Sequence, residues 1–223
     1  MADGPQNLHQ YKLRTLFHIV PMPWSWPAEV NFHEAKAYAA WRAEQDGEST
    51  PYRLITEGEH QRMRDAACRG DARDAERDPV MNTSGHEMAR QRGFNLNLAF
   101  SSPSPVNALA GTEVGFHDVF GNVWEWCEDD FHPFEGFQVH RYYDDFSTPC
   151  FDGQHNMILG GSFISTGDEA SIWSRFHFRP HFFQHAGFRM ARNTDGNPAC
   201  DAVRLSESRK HHSNTYESAR ILN

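Results

Sequence analysis

Between Asn31 and Gly47 the apolar positions recur with helical spacing. Asn31 suits an N-cap and Glu34 stands three residues on, the capping-box pair, so a helix is expected over Phe32–Glu44. Ala35, Tyr38, Ala39 and Arg42 lie along one side of it, Ala37, Ala40, Trp41 and Glu44 along the next, and Gly47 stops it. Tyr52–Ile55 reads as a short strand, and Thr56 with Glu59 repeats the capping box to open a second helix ending near Ala67. Upstream, residues 1–20 carry no strong pattern; Leu13, Leu16, Phe17 and Val20 lead into the proline-rich Pro21–Pro27, which must be extended or turning.

From Arg69 to Gly93 the pattern turns polar and reads as a long excursion. Asn95–Phe100 alternates like a strand, followed by a rigid polar loop at Ser101–Pro105. The chain is organised around Gly115–Ser147. Gly121-Asn122 is a turn dipeptide, because both residues tolerate positive φ. After it Trp124 and Trp126 fall on one side of an extended segment, with Val123, Glu125 and Cys127 on the other, and Glu128, Asp129 and Asp130 follow at an acidic edge. Met157–Ile164 reads as a buried strand, and an aromatic and basic run covers Trp173–Arg189. Beyond Arg192 the composition is that of a linker or tail. Short elements joined by long irregular loops indicate an α+β fold.

Charge narrows the partners. With Lys and Arg totalling 21 against 30 Asp and Glu, the chain of 223 residues carries −9 and has no basic block, which argues against nucleic acid. Apolar runs are short, so neither a membrane span nor a signal peptide is expected, and a cytoplasmic location follows. The 4 Cys are widely spaced; Cys127 and Cys150 are expected to pack inside the fold. The 14 His favour metal or acid–base work. His177, His181 and His185 have the spacing of ligands on a helix, but Pro180 argues against a helix there.

Five segments then carry a resemblance: Asn31–Tyr38, Arg53–Glu57, Gly121–Trp126, Gly160–Phe163 and Ala186–Arg189. In that order they resemble the sulfatase-modifying-factor module, the formylglycine-generating-enzyme fold, a variant of the C-type lectin fold. The resemblance covers about residues 20–192. It implies a module over 1–192, lacking its opening strands, and a tail over 193–223 of the kind that leads to a methyltransferase domain. Within the superfamily, Phe100–Val106, Tyr142–Gly153 and Phe178–Arg189 look like the ovothiol synthases, the 5-histidylcysteine sulfoxide synthases, which are related to EgtB. Such enzymes use a non-haem iron(II) and O₂ to join cysteine sulfur to the histidine ring. Their iron is held by three His of an N-terminal DinB-like bundle, a motif not found here, so the chain looks like the middle of a longer enzyme and is expected to be weakly active or inactive alone. An iron-bearing DinB-like domain in another chain would be the missing partner. Formylglycine generation is discounted, since Ser165 and Ala170 stand where its reactive Cys pair would be.

The resemblance places the family's active-site Tyr on Tyr142, with Asp145 in a substrate-contacting position and Tyr143 as the neighbouring alternative. A phenol there can donate a hydrogen or a proton. Arg175, His177, Arg179 and His181 would line the cysteine and histidine pocket, with Arg179 as carboxylate clamp, because a guanidinium pairs with a carboxylate through two parallel bonds. Internal ion pairing is the competing reading of these Arg. Asn122 and Glu125 are oxygen donors of the type that binds Ca²⁺ in related modules; a capped turn with a solvated Glu is the alternative. The competing function is a non-catalytic, lectin-like binding module stabilised by calcium.

Overall fold

The computed structural model describes residues 11–68, 94–112, 115–145 and 147–193. The polar excursion of 69–93 and the tail beyond 193 lie outside these residues.

Residues 12–21, most of which lie where the sequence carries no strong pattern, form a small hairpin. Strands β1 (Lys12–Arg14) and β2 (Ile19–Pro21) pair antiparallel, with Leu13 opposite Val20. Helix α1 (Phe32–Gln45) starts where the capping box puts it: Asn31 Oδ1 accepts from the Glu34 amide at 2.9 Å, and Glu34 accepts from the Asn31 amide at 3.0 Å. Its buried stripe is Ala35, Ala39 and Ala43, while Tyr38 and Trp41 face outward. Small side chains let the helix lie close on the sheet. β3 (Arg53–Leu54) pairs with the distant β8 (Met190–Ala191). Helix α2 (Glu57–Cys68) carries the second capping box, with Thr56 and Glu59 bonded reciprocally.

The centre is a four-stranded sheet in the order β6 (Arg175–Phe178), β5 (Asn156–Leu159), β4 (Trp124–Asp130), β7 (Ala186–Phe188). β5 runs antiparallel to both neighbours and β7 parallel to β4. Alternation along the strands divides the core in two. Trp124, Trp126, Ile158 and Ala186 join Ala35 of α1 on one face. Cys127, Met157 and Leu159 join Ile55, Met63, Phe131 and Phe151 on the other. Trp126 is fully buried, and its indole N–H donates to the Val30 carbonyl at 2.9 Å, so the largest apolar surface in the fold is buried without an orphaned donor.

Two expected strands differ. Asn95–Phe100 makes a single parallel bridge, Asn95 to Gly121, and then turns, with Asn97 and Leu98 at φ of 54° and 57°. Its Asn97 and Leu98 amides donate to Ser165 and Phe163 carbonyls in place of a ladder. The strand expected over Met157–Ile164 ends at Leu159, because Gly160 and Gly161 take φ of 92° and 75° and swing the chain out. Ser165 and Ala170 are buried; the Ser165 hydroxyl accepts from the Ser162 amide at 3.0 Å, so it closes that turn. Among the described residues no helix is long and apolar enough to cross a membrane.

Candidate functional site

The acidic edge beyond Trp126 is consumed by the fold. Glu128 pairs with Lys36 of α1 and accepts from the Leu54 amide at 3.2 Å. Asp129 accepts from the Glu57 amide at 2.6 Å, at the positive end of α2. Glu125 is buried rather than solvated, and Arg189 Nε reaches both of its oxygens at 3.1 Å. Asn122 is buried as well: its carbonyl oxygen accepts from the Ser104 amide at 2.8 Å, and its NH₂ donates to Ser104 O and to Asp118. Burial raises the Asp118 carboxyl above its ordinary range, opposed by the bond from Asn122. A calcium ion at Asn122 and Glu125 would therefore have to displace a guanidinium and a backbone amide.

Strand β6 shares its faces in turn. Phe176 and Phe178 pack on the tryptophan side, Phe176 stacking on Trp124 at 6.2 Å. Arg175 and His177 lie on the other face, opposite Leu159 and Met157 in register. Arg175 is bound to Glu57 by two bonds, of 2.6 and 3.0 Å, and donates to His132 O, with its guanidinium 4.0 Å from the Phe134 ring centre. The internal ion pair is thus realised at this residue. Arg175 and Glu57 also line a cavity of about 250 Å³, together with His60, Arg64, Phe134 and Trp173. Burial lowers the His60 pKa, so this imidazole is held neutral.

His177 is 8% exposed and stacks on Phe131 at 4.2 Å. Burial, with His155 nearby, lowers its pKa to about 4. It belongs to the interior and not, as expected, to an open substrate strip; a four-residue spacing on a strand and the turn after it does not align ligands as a helix would. His181 is exposed beyond the strand and stacks on Phe182, while His185 bonds Glu29 at 2.9 Å, which raises its pKa. His177, His181 and His185 therefore have three separate surroundings and form no ligand set.

Instead His177 meets His155, their rings 5.2 Å apart and perpendicular, and one ligand atom each from Cys150, His155 and His177 lie within 4.8 Å of one another. Cys150 closes a 3-10 turn at Thr148–Cys150; its thiol is raised by burial and by Asp152, and lowered by Arg179. Asp152 is held below the usual carboxylate range, since bonds from His155 and the Gln154 amide outweigh burial. The sequence carries Cys150 and His155 close together, but the third member arrives only through strand pairing.

The loop before that turn is open. Tyr142 is 76% exposed and Tyr143 54%, with Asp145 exposed beside them. Tyr142 lies under the Arg141 guanidinium, 4.5 Å from ring centre, and its amide donates to His140 Nδ1 at 3.3 Å. Among the described residues its contacts are with these neighbours and not with Arg175 or Arg179; Arg179 is exposed, on the side of Cys150. Tyr142 does not line the cavity bounded by Arg175.

Known proteins place the fold in a family. The model of the sulfatase-modifying factor enzyme 1-like domain matches residues 19–194. Ergothioneine biosynthesis protein 1 of Schizosaccharomyces pombe is 27% identical over 181 residues, 80% of this chain and 19% of the relative. A hercynine oxygenase of Mycobacterium tuberculosis is 33% identical over 155 residues, 68% of this chain and 33% of the relative. The chain thus spans a third or less of the length of these curated relatives. Among solved structures, Treponema denticola variable protein 1 shares the fold at 18% identity and a TM-score of 0.55, over 74% of this chain and 70% of that one. With the family model matched across nearly all the described residues, the chain belongs to the sulfatase-modifying factor enzyme 1-like domain family.

Proposed function

We propose that this chain is the substrate-pocket module of a non-haem iron(II), O₂-dependent sulfoxide synthase that couples cysteine sulfur to the histidine ring, the ovothiol type of reaction. The observation that carries the reading is the exposure of Tyr142 in a chain whose relatives are named for hercynine oxygenation and ergothioneine biosynthesis. A tyrosine kept for packing would bury its ring; this one offers its hydroxyl to a partner or substrate. Arg179 and His181 are exposed at the end of β6, and Arg179 supplies the fork for an amino-acid carboxylate. Asp145 and Tyr143 add polar contacts from the same loop as Tyr142, and Tyr142 Oη holds the proton that can be passed to a reacting group.

Iron, when bound, supplies the activation of O₂. The described residues do not provide the three-histidine set of that chemistry, so its ligands are assigned to a DinB-like domain, in this reading a separate partner, and no step is derived through the metal. Purified chain given Fe(II), O₂, cysteine and histidine is expected to yield no thioether or sulfoxide; stoichiometric iron with product would overturn that part.

Calorimetry with histidine, hercynine and cysteine tests the pocket. Histidine is expected to bind, and Arg179→Met to weaken it by about 10–100-fold, as for loss of a charge-assisted bond. Preference for hercynine would move the assignment to the ergothioneine type. Binding of neither amino acid, with a glycan binding instead, would favour a lectin-like module.

A further inference from the structure

Register brings His177 to two ligands, Cys150 and His155, that lie close together in the chain. Met157 of β5 pairs with His177 of β6, so His155, two residues before Met157, arrives beside His177. Cys150 ends the 3-10 turn that leads into this corner, and the thiol and the two imidazoles converge to within 4.8 Å. We propose that Cys150, His155 and His177 form a binding site for a thiophilic divalent transition-metal ion of the zinc class, with its fourth position left to an exogenous ligand.

The donor set selects the ion. One thiolate and two imidazoles are borderline-soft and suit Zn²⁺, while Ca²⁺ and Mg²⁺ require oxygen. Three protein ligands with a free fourth position is the arrangement of an open zinc site, in contrast to the four-ligand structural kind. Zinc–sulfur and zinc–nitrogen bonds of ~2.3 and ~2.0 Å in a tetrahedron set the donors roughly 3.5 Å apart, so the three must draw in by about 1 Å. Cys150 and His155 sit on a turn and a short connection outside the strands, where such a movement costs little, and His177 is held by the sheet and by Phe131.

A carboxylate already orients one of the imidazoles. Asp152 Oδ1 lies 2.9 Å from His155 Nδ1. That contact puts the ring proton on Nδ1 and leaves the lone pair on Nε2 for a metal, the carboxylate–histidine–metal relay. On binding, the Cys150 thiol loses its proton to solvent as the metal–sulfur bond forms, with no change of oxidation state. The site is independent of the function proposed above: it uses neither Tyr142 nor Arg179, and its metal need not be redox-active.

Cobalt(II) is the probe, because its thiolate complexes absorb by ligand-to-metal charge transfer and its tetrahedral complexes absorb strongly in the visible. The purified chain, freed of metal, is titrated with Co²⁺ and then with Zn²⁺. One Co²⁺ per chain is expected, with a charge-transfer band that Cys150→Ser removes and Zn²⁺ displaces. His155→Asn should weaken the visible bands, and Asp152→Asn should lower affinity by about 10–100-fold while the charge-transfer band remains. Cys150, His155 and Asp152 lie outside the strands, so these variants are expected to keep the melting transition of the parent chain; His177→Asn is confirmatory only where it also melts cooperatively. A charge-transfer band that survives Cys150→Ser, Co²⁺ that binds with octahedral, weakly absorbing spectra, or no stoichiometric uptake would each overturn the site. None of these results bears on amino-acid binding, so the two proposals fail separately.

Discussion

Arg189 Nε lies 3.1 Å from each carboxylate oxygen of Glu125, joining the start of β4 to the link between β7 and β8. The Glu125 side chain is 7% exposed, and Arg189 Nη2 also donates to the His117 carbonyl at 2.9 Å. Two distant parts of the chain are thereby held with a charge on each side, and neither can be lost without stranding the other.

Removing one partner of this pair is therefore more damaging than its modest Coulomb energy suggests. Glu125→Ala is expected to lower stability by about 3–5 kcal/mol, the cost of an uncompensated buried charge. Urea denaturation of the variant measures it. Since Glu125 is occupied by Arg189, calcium is expected to leave the melting temperature of the parent chain unchanged, and a Ca²⁺-dependent rise that Glu125→Ala abolishes would restore the calcium site.

Three histidines make stability depend on pH, His60 and His177 with one sign and His185 with the other. His60 is buried and its pKa is lowered by that burial, so the unfolded chain takes up a proton first; stability falls as pH drops below the ordinary value of 6.5. His185 is raised by its bond to Glu29, so its contribution is complete below 6.5 and fades as pH rises through the folded value. Denaturation midpoints of His60→Gln and Glu29→Gln between pH 5 and 8 separate them. The first variant should lessen the loss on the acid side and leave the share of His177, and the second should remove the loss on the alkaline side.

Gly121 stands at φ 76°, and a Cβ there would meet the Asn95 carbonyl oxygen at 2.3 Å. Both are backbone constraints, so no side-chain adjustment relieves them. Gly121→Ala is expected to cost more than about 2 kcal/mol, combining left-handed strain with the clash. Gly136, at φ 80° with open space around it, isolates the first effect: its Ala variant should lose about 1 kcal/mol.

Tyr142→Phe removes one exposed hydroxyl and should change stability by less than about 0.5 kcal/mol. In an assembled, iron-loaded enzyme containing this module, the same change is expected to reduce product formation by about 10²–10⁴-fold, the range for loss of a general acid. Unchanged turnover would remove Tyr142 from the chemistry.

Local signals were legible in the chain itself. Both capping boxes are short-range patterns, and both helices begin where Asn31 and Thr56 place them. The alternation of Trp124 and Trp126 with Glu125 and Cys127 reports which side of a pleated strand each residue faces, and the two core clusters divide along it. The five family motifs pointed to the fold, and they fall on α1, β3, the start of β4, the turn after β5 and β7. Pairing across distance was not legible. The hairpin of β1 and β2 depends on Leu13 meeting Val20, and Asn95–Phe100 has a strand's alternation but spends its amides on Phe163 and Ser165. Whether an Arg or Glu is free or paired depends on what lies beside it in three dimensions: Arg175 found Glu57, 118 positions away, and the solvated Glu125 proved buried against Arg189. Periodicity along a chain encodes which face a residue turns to; it carries no information on which distant residue will face it. The arrival of His177 beside the Cys150 and His155 pair is of that second kind, decided by the register of β5 on β6.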